Sequence, residues 1–417
     1  MDAPIQRDQG ACRFCGSPLE TTVVDLGVSP LANAYLRPEQ LRQAETFYPL
    51  HVFVCDDCLL VQLEEFESPQ AMFSDYAYFS SYSDTFLAHA KAYCEQMSQR
   101  FGLDRGSQVV EIASNDGYLL RNFVAAGVPV LGVEPAANVA QAAIDQGVPT
   151  LVEFFGEGLA RELRAQGKAA DLLLANNVLA HVPALNDFVR GTQLLLAPQG
   201  VMTVEFPHLM RLLDLNEFDT IYHEHFSYFS LLVAERIFAT HGIVVFDVEE
   251  LDIHGGSLRL YGRHREDTSK PVTPRVEALR AREIERGLDR VETYLPFAEQ
   301  VARTKRELLT FLIEKKSQGK QLVAYGAPAK GNTLLNYCGV GPDLLDYTVD
   351  RSPHKQGCYL PGSRIPIHGP ERLRETQPDY VLILAWNLKQ EIVESMRFVR
   401  EWGGRFVVPI PRVALVE

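Results

Sequence analysis

Apolar and polar positions alternate in short blocks over residues 12 to about 65. Tyr48-Pro-Leu-His-Val-Phe-Val-Cys55 and Leu59-Leu-Val-Gln-Leu63 read there as β-strands of a small lobe. An aromatic, polar-studded stretch at 71–82 interrupts the pattern, and residues 84–101 then carry apolar positions near helical spacing, which predicts an amphipathic helix. Beyond it the apolar residues gather into short, nearly continuous runs separated by helical stretches. Val109–Glu111, Val130–Glu134, Pro149–Val152, Asp171–Ala175 and Gly200–Glu205 predict buried parallel strands joined by right-handed crossovers. An Arg- and Glu-rich helical region, about 276–319, reads as solvated helix faces. The runs return at Gln321–Tyr325, Asp346–Asp350, Tyr380–Leu384 and Arg405–Pro409, predicting a second doubly wound unit. The expected fold is therefore α/β, divided into a small lobe (1–70), a central domain (71–250) and a C-terminal domain (251–417).

Charge and composition narrow the partners. A net charge of -14 over 417 residues repels phosphodiester backbones, and no basic stripe offsets it locally, so nucleic acid is not expected. No apolar run approaches the roughly 18 residues that span a bilayer, and Met1–Arg7 is too polar for an export signal. The expectation is a cytoplasmic monomer without membrane contact.

Two Cys-x-x-Cys pairs, Cys12/Cys15 and Cys55/Cys58, head the chain. Disulfides compete with zinc for such a pattern, and the gap between the pairs is longer than in a usual zinc ribbon. Without an export signal, a tetrahedral zinc site is the better reading. Four thiolates leave zinc no open position, so the metal is expected to be structural. Cys94, Cys338 and Cys358 are read as ordinary thiols.

The turn after the first central strand, Glu111-Ile-Ala-Ser-Asn-Asp-Gly117, opens a helix where a ligand can meet free backbone N–H groups. Ala113 and Asn115 stand where glycine-rich cofactor loops commonly have glycine, and Gly117 keeps its place. Glu134 ends the second strand, where a carboxylate can accept ribose hydroxyls. Glu153 and Phe154 follow the third strand. Asn176 and His181 follow the fourth, at the carboxyl edge where ligands bind in such sheets.

Tyr222-His-Glu-His-Phe-Ser-Tyr228 concentrates imidazoles, a carboxylate and phenols, the groups that remove a proton near neutral pH and stabilise an oxyanion. His223 and His225 alternate as metal ligands on a strand would, without an obvious third ligand. Farther on, Gly326-Ala-Pro-Ala-Lys-Gly331 links a strand to a helix, so that Gly326, Ala329 and Lys330 could cradle a pyrophosphate, with Asp350 ending the next strand. By itself that crossover would also suit NAD(P), so a sugar-nucleotide oxidoreductase or epimerase is the competing activity. A zinc-based binding protein is the non-enzymatic alternative.

The four Cys, Glu111–Gly117, Ile221–Tyr228, His254-Gly-Gly-Ser-Leu-Arg259 and Tyr325–Asn332, in that order, closely resemble the three-domain sugar C-methyltransferases. Within that family the similarity is nearest to C-3 methylation in tetronitrose biosynthesis, and it covers nearly the whole chain. It implies a zinc-binding lobe, a central class I methyltransferase domain of Rossmann-like fold binding S-adenosylmethionine, and a C-terminal Rossmann-like domain gripping a dTDP-linked 4-keto deoxysugar. Glu111–Gly117 then resembles the cofactor-binding motif I, and Glu134-Pro135 motif II. The resemblance further implies Tyr76 over the active site, His225 as base, Glu224 orienting or tuning its imidazole, Tyr222 donating to an enolate oxygen and His181 near the sugar. A reversed assignment makes His181 the base. His254, Ser257 and Arg259 are expected at the joint between the two large domains, touching substrate.

Overall fold

The computed structural model describes residues 10–73, 80–82, 84–253 and 255–416. Tyr76 and His254 lie outside them. Strands β1 (Thr21–Ser29), β2 (Tyr48–Val54) and β3 (Val61–Leu63) form an antiparallel meander. Alternate residues Leu50, Val52 and Val54 of β2 face the lobe core, as the two-residue period of a strand requires.

The central domain contributes five parallel strands: β4 (Val109–Ile112), β5 (Val130–Val133), β6 (Thr150–Leu151), β7 (Ala170–Asn176) and β8 (Leu196–Pro207). Both faces of this sheet are covered. Leu172 and Leu174 pack with Tyr93 and Met97 of the helix Asp84–Phe101, while Leu173 and Ala175 join the cluster on the other face. This two-sided burial is why the runs look continuous in sequence.

A short strand, β9 (Ser227–Tyr228), then leaves the central domain and pairs with β3, so the zinc-lobe sheet has the order β1-β2-β3-β9. Strands β10 (Ile243–Leu251) and β11 (Ser257–His264) complete the central sheet in the order β10-β11-β8-β7-β4-β5-β6, with β11 antiparallel to both neighbours. The residues on either side of position 250 therefore share one sheet.

In the C-terminal domain, β12 (Leu322–Tyr325), β13 (Thr348–Val349), β14 (Ile367–His368), β15 (Tyr380–Ile383) and β16 (Arg405–Val408) run parallel, and β17 (Ala414–Val416) closes the edge antiparallel. The order β14-β13-β12-β15-β16-β17 puts a topological switch beside β12, where the chain turns into the helix Ala329–Cys338.

Between the large domains run the helices Pro274–Arg286 and Phe297–Ser317. Their charges are not all solvated, contrary to the sequence expectation. Glu283 is fully buried, accepts the amides of Leu231 (2.7 Å) and Leu232 (2.9 Å) at a helix start, and lies 2.6 Å from His208 Nε2. A carboxylate at that end offsets unpaired amides and the helix dipole, which is what allows it inside. One apolar cluster links all three domains, from Val52 and Val54 through Leu173 and Phe206 to Leu334 and Val349.

Candidate active site

The four cysteines meet as the spacing predicts. Cys12 Sγ lies 3.5 Å from Cys58 Sγ, Cys15 Sγ lies 3.5 Å from Cys55 Sγ, and all four sulfurs fall within 4.8 Å of one another. Disulfides would require S–S near 2.05 Å. A tetrahedron of thiolates about 2.3 Å from a zinc ion needs sulfurs about 3.8 Å apart, so the donor set fits zinc. Gln62 of β3 donates to Cys12 Sγ at 3.1 Å and accepts the Arg13 amide at 2.9 Å. One residue farther on, Leu63 N donates to Phe226 O (2.9 Å), and Phe226 N donates to Ala180 O (2.7 Å). The metal lobe is thus stitched to the Tyr222–Tyr228 segment and, through it, to the turn carrying His181.

A cleft of about 2610 Å³ opens between the domains. Ligand pockets commonly span about 300–1,000 Å³, so this one has room for a cofactor and a second, sizeable molecule. At its central-domain end lie Ala113, Asn115, Glu134, Glu153, Phe154 and Asn176. The β4 loop adopts left-handed φ at Ala113 (55°), Asn115 (50°) and Gly117 (73°), so it keeps the shape of a glycine-rich loop with only the last glycine retained. At Gly117 a side chain would add crowding to the strained φ, because its Cβ would press on Val148 at 3.0 Å and Ala143 at 3.1 Å. Glu134 accepts the amides of Asn115 (3.0 Å) and Ala136 (2.9 Å), and burial holds its pKa above the usual carboxylate range. Glu111 and Gly117 do not reach the cleft. Glu111 is buried beneath the loop, where desolvation and then Glu134 push its carboxyl well up. Asn176 Oδ1 and Asn177 Nδ2 have no partner among the described residues. These orphaned groups, the Glu134 carboxylate and the exposed Phe154 ring suit S-adenosylmethionine, which presents hydroxyls, an amino-acid end and a purine.

His181, Tyr222, Glu224 and His225 converge in the middle of the cleft. Tyr222 Oη lies 2.7 Å from His225 Nε2, and His225 Nδ1 lies 2.8 Å from Thr220 O. A carbonyl only accepts, so Nδ1 carries the proton and the Nε2 lone pair faces the phenol. The Thr220 carbonyl therefore orients the ring that the sequence reading had assigned to Glu224. Glu224 Oε1 instead accepts from Asn33 Nδ2 at 2.6 Å, and burial lifts this carboxyl to about 7. His181 packs edge-on against His225 with centroids 4.7 Å apart. Burial drives its pKa down to about 4, against a hydrogen bond to the Glu224 backbone. His223 points away, with Nε2 3.1 Å from Pro49 O, so it does not join His225 as a ligand pair.

Pro328, Ala329, Lys330 and Asp350 line the C-terminal end of the cleft, while Gly326 (φ 94°) lies behind it as the turn. Asp350 accepts the amides of Ala327 (2.7 Å) and Ser352 (2.8 Å), which makes it a builder of the loop. Lys330 Nζ donates to Asn387 Oδ1 (2.6 Å) and lies 4.7 Å from the centre of the Trp386 ring. Trp386 Nε1 in turn donates to the buried Asp219 (2.7 Å), whose pKa burial raises to about 6. Ser257 and Arg259 lie outside the cleft, because both are buried in β11. Arg259 reaches Glu205 (2.9 Å), Glu249 (3.1 Å) and His89 (3.2 Å), a paired interior cation with a structural role. No described helix is long and apolar enough to cross a membrane.

Comparison with known proteins agrees with this layout. Residues 12–73 match a family described as a zinc binding domain, residues 86–248 a methyltransferase domain, and residues 252–411 a C-methyltransferase C-terminal domain. Among solved structures, magnesium protoporphyrin IX methyltransferase from Synechocystis PCC 6803 is 14% identical, with a TM-score of 0.35 over 42% of this chain and 82% of that one. The CcbJ methyltransferase from Streptomyces caelestis is 13% identical, with a TM-score of 0.33 over 42% of this chain and 88% of that one. Scores so low carry no argument. The C-methyltransferase NovU from Streptomyces niveus is 38% identical over 413 residues, covering 99% of this chain and 98% of NovU. With the cysteine cluster, the central sheet and the C-terminal domain all in place, the chain belongs to the NovU-like family of three-domain C-methyltransferases.

Proposed function

We propose that this enzyme methylates C-3 of a dTDP-linked 4-keto deoxysugar through an enolate, in deoxysugar assembly of the tetronitrose type. The hydrogen-bonded chain Tyr222–His225–Thr220 in the cleft carries the reading. In this division, residues 1–70 hold the metal, 71–250 the cofactor and 251–417 the sugar nucleotide, with the diphosphate beside Ala329 and Lys330. When bound, S-adenosylmethionine supplies an electrophilic methyl group.

Forming a carbon–carbon bond at C-3 first requires losing a proton there, and the 4-keto group makes that proton acidic by accepting charge as an enolate. Tyr222 turns its hydroxyl from His225 to the keto oxygen, which stabilises the developing oxyanion and frees the Nε2 lone pair. His225 then takes the C-3 proton and becomes an imidazolium, its Nδ1–H still held by Thr220 O. After methylation the imidazolium returns its proton to solvent. The low pKa of His181 supports His225 as the base, since a group near 4 is a weak acceptor at neutral pH. His181, neutral, remains to position the sugar.

Incubation with S-adenosylmethionine and a panel of dTDP-4-keto sugars in deuterated water tests this. Deuterium at C-3 and a new methyl group are the expected result. Methylation on oxygen or nitrogen, or no product from any dTDP sugar, would sink it.

A further inference from the structure

A strap of the N-terminal lobe, residues 32–36, is clamped by the C-terminal domain. Asn332 Nδ2 donates to Ala32 O at 2.5 Å, Tyr35 Oη donates to Ala327 O at 2.6 Å, and Leu36 exchanges backbone hydrogen bonds with Tyr359. Lys355 reinforces the clamp, with Nζ on the same Ala327 carbonyl (2.9 Å) and 5.1 Å from the centre of the Tyr35 ring. Between these anchors Asn33 reaches Glu224 Oε1 at 2.6 Å, and Tyr35 Oη lies 3.4 Å from Asn33 Oδ1. An ionised carboxylate only accepts, so the NH₂ edge of the Asn33 amide faces Glu224.

We propose that Asn33 is a positioning residue for methyl transfer, the donor that holds the Glu224 carboxylate against the catalytic segment. The inference rests on the reading above, in which Tyr222 and His225 do the chemistry. Bonds from a donor to an ionised acceptor are about twice as strong as neutral ones, and here the acceptor is buried with burial opposing its charge. Removing Asn33 takes away the side-chain hydrogen bond that, among the described residues, favours the ionised form. Among the described residues, the titratable groups around Glu224 are His181 at its backbone, Tyr222 and His225 on its own segment, and Tyr35 on the strap, with Lys355 and Asp350 behind Tyr35. Glu224 directly precedes His225 in the chain and both line the same cleft, so a negative charge on Glu224 acts in favour of the imidazolium that forms on His225. Since the strap is anchored in the C-terminal domain, Asn33 also makes that carboxylate depend on how the domains are held together.

The test follows Glu224 by carbon-13 NMR of carboxyl-labelled protein, its resonance identified by its loss in Glu224→Gln, alongside the pH profile of kcat. In Asn33→Ala the Glu224 midpoint is expected to rise by about one pH unit, with the acid limb of kcat rising equally. KM for S-adenosylmethionine should stay within about twofold. Asn33→Ser, a shorter donor, should fall between the two and serves if the alanine variant does not fold. An unmoved midpoint, or a moved midpoint with an unmoved acid limb, overturns the proposal. So does full activity in the double variant Asn33→Asp/Glu224→Gln, which keeps the bridge but moves the charge. If wild type methylates no dTDP sugar, the substrate reading fails, and the carboxyl titration decides on Asn33 by itself.

Discussion

Tyr222 Oη stands 2.7 Å from His225 Nε2, and with Thr220 O on the other ring nitrogen this contact gives the site a direction for proton movement. The phenol blocks the lone pair until something else accepts its hydrogen. In the mechanism proposed above a substrate carbonyl in reach of Tyr222 does that, which would couple deprotonation to the presence of the group that acidifies the proton.

His225→Asn is expected to lower kcat by about 10²–10⁴ and to abolish C-3 deuterium exchange together with methyl transfer. Tyr222→Phe should lower kcat by about 10²–10³, with a smaller effect on KM, because the donor acts on the developing oxyanion. Exchange that survives in His225→Asn would move the base to another residue. A Tyr222→Phe enzyme as active as wild type would remove the hydroxyl from the mechanism.

The strands were legible wherever burial on both faces made the chain continuously apolar, as at Val109–Ile112 and Leu172–Ala175. β9 was not, because a two-residue strand whose partner lies far back in the chain leaves no local period. Glu283 looked solvated because neighbouring Arg and Glu hide a single inward position. In the site, Tyr222 and His225 announced themselves as a cluster of titratable groups. Asn33 could not, since a lone amide in a loop matches no pattern. Arg259, expected at the joint between the large domains, lies in β11, and the strand turns it inward to Glu205.

The metal should matter to chemistry as well as to the lobe. Since β3 carries both Gln62 on Cys12 and the pairing with Ser227, stripping zinc with a chelator should release the Tyr222–Tyr228 segment. The Leu63 and Phe226 amides are expected to lose protection in hydrogen exchange while Val109–Ile112 stays protected, and kcat should fall in step with metal content. Unchanged protection at Leu63 after complete metal loss would uncouple the lobe from the site.

Ala113 holds a left-handed φ of 55° without being glycine. That conformation costs an L-residue roughly 1–2 kcal/mol, while glycine loses about 0.4–1 kcal/mol more chain entropy on folding. Ala113→Gly should therefore stabilise the protein by about 0.5–1 kcal/mol in urea titrations, and Ala113→Val should destabilise it. A clearly less stable glycine variant would contradict the left-handed loop.

His181 should make folding acid-sensitive. Its pKa falls from 6.5 in the unfolded chain to about 4 in the fold, with burial as the cause. Between those values the unfolded state binds more protons, so stability rises with pH there; the contribution is complete above 6.5 and is lost as pH drops toward 4. The full span is on the order of 3 kcal/mol. Glu224, raised to about 7, and Glu217, raised to about 8 by burial and then Asp219, run the other way, losing stability as pH climbs from 4.5. Total stability against pH thus mixes opposing slopes, and comparing His181→Asn with wild type isolates one of them. The urea-derived stability gap between pH 7 and pH 5 should shift in the variant by about 1–2 kcal/mol, removing the acid-side loss due to the imidazole. Parallel curves for the two proteins across that window would show that His181 is not held neutral by the fold.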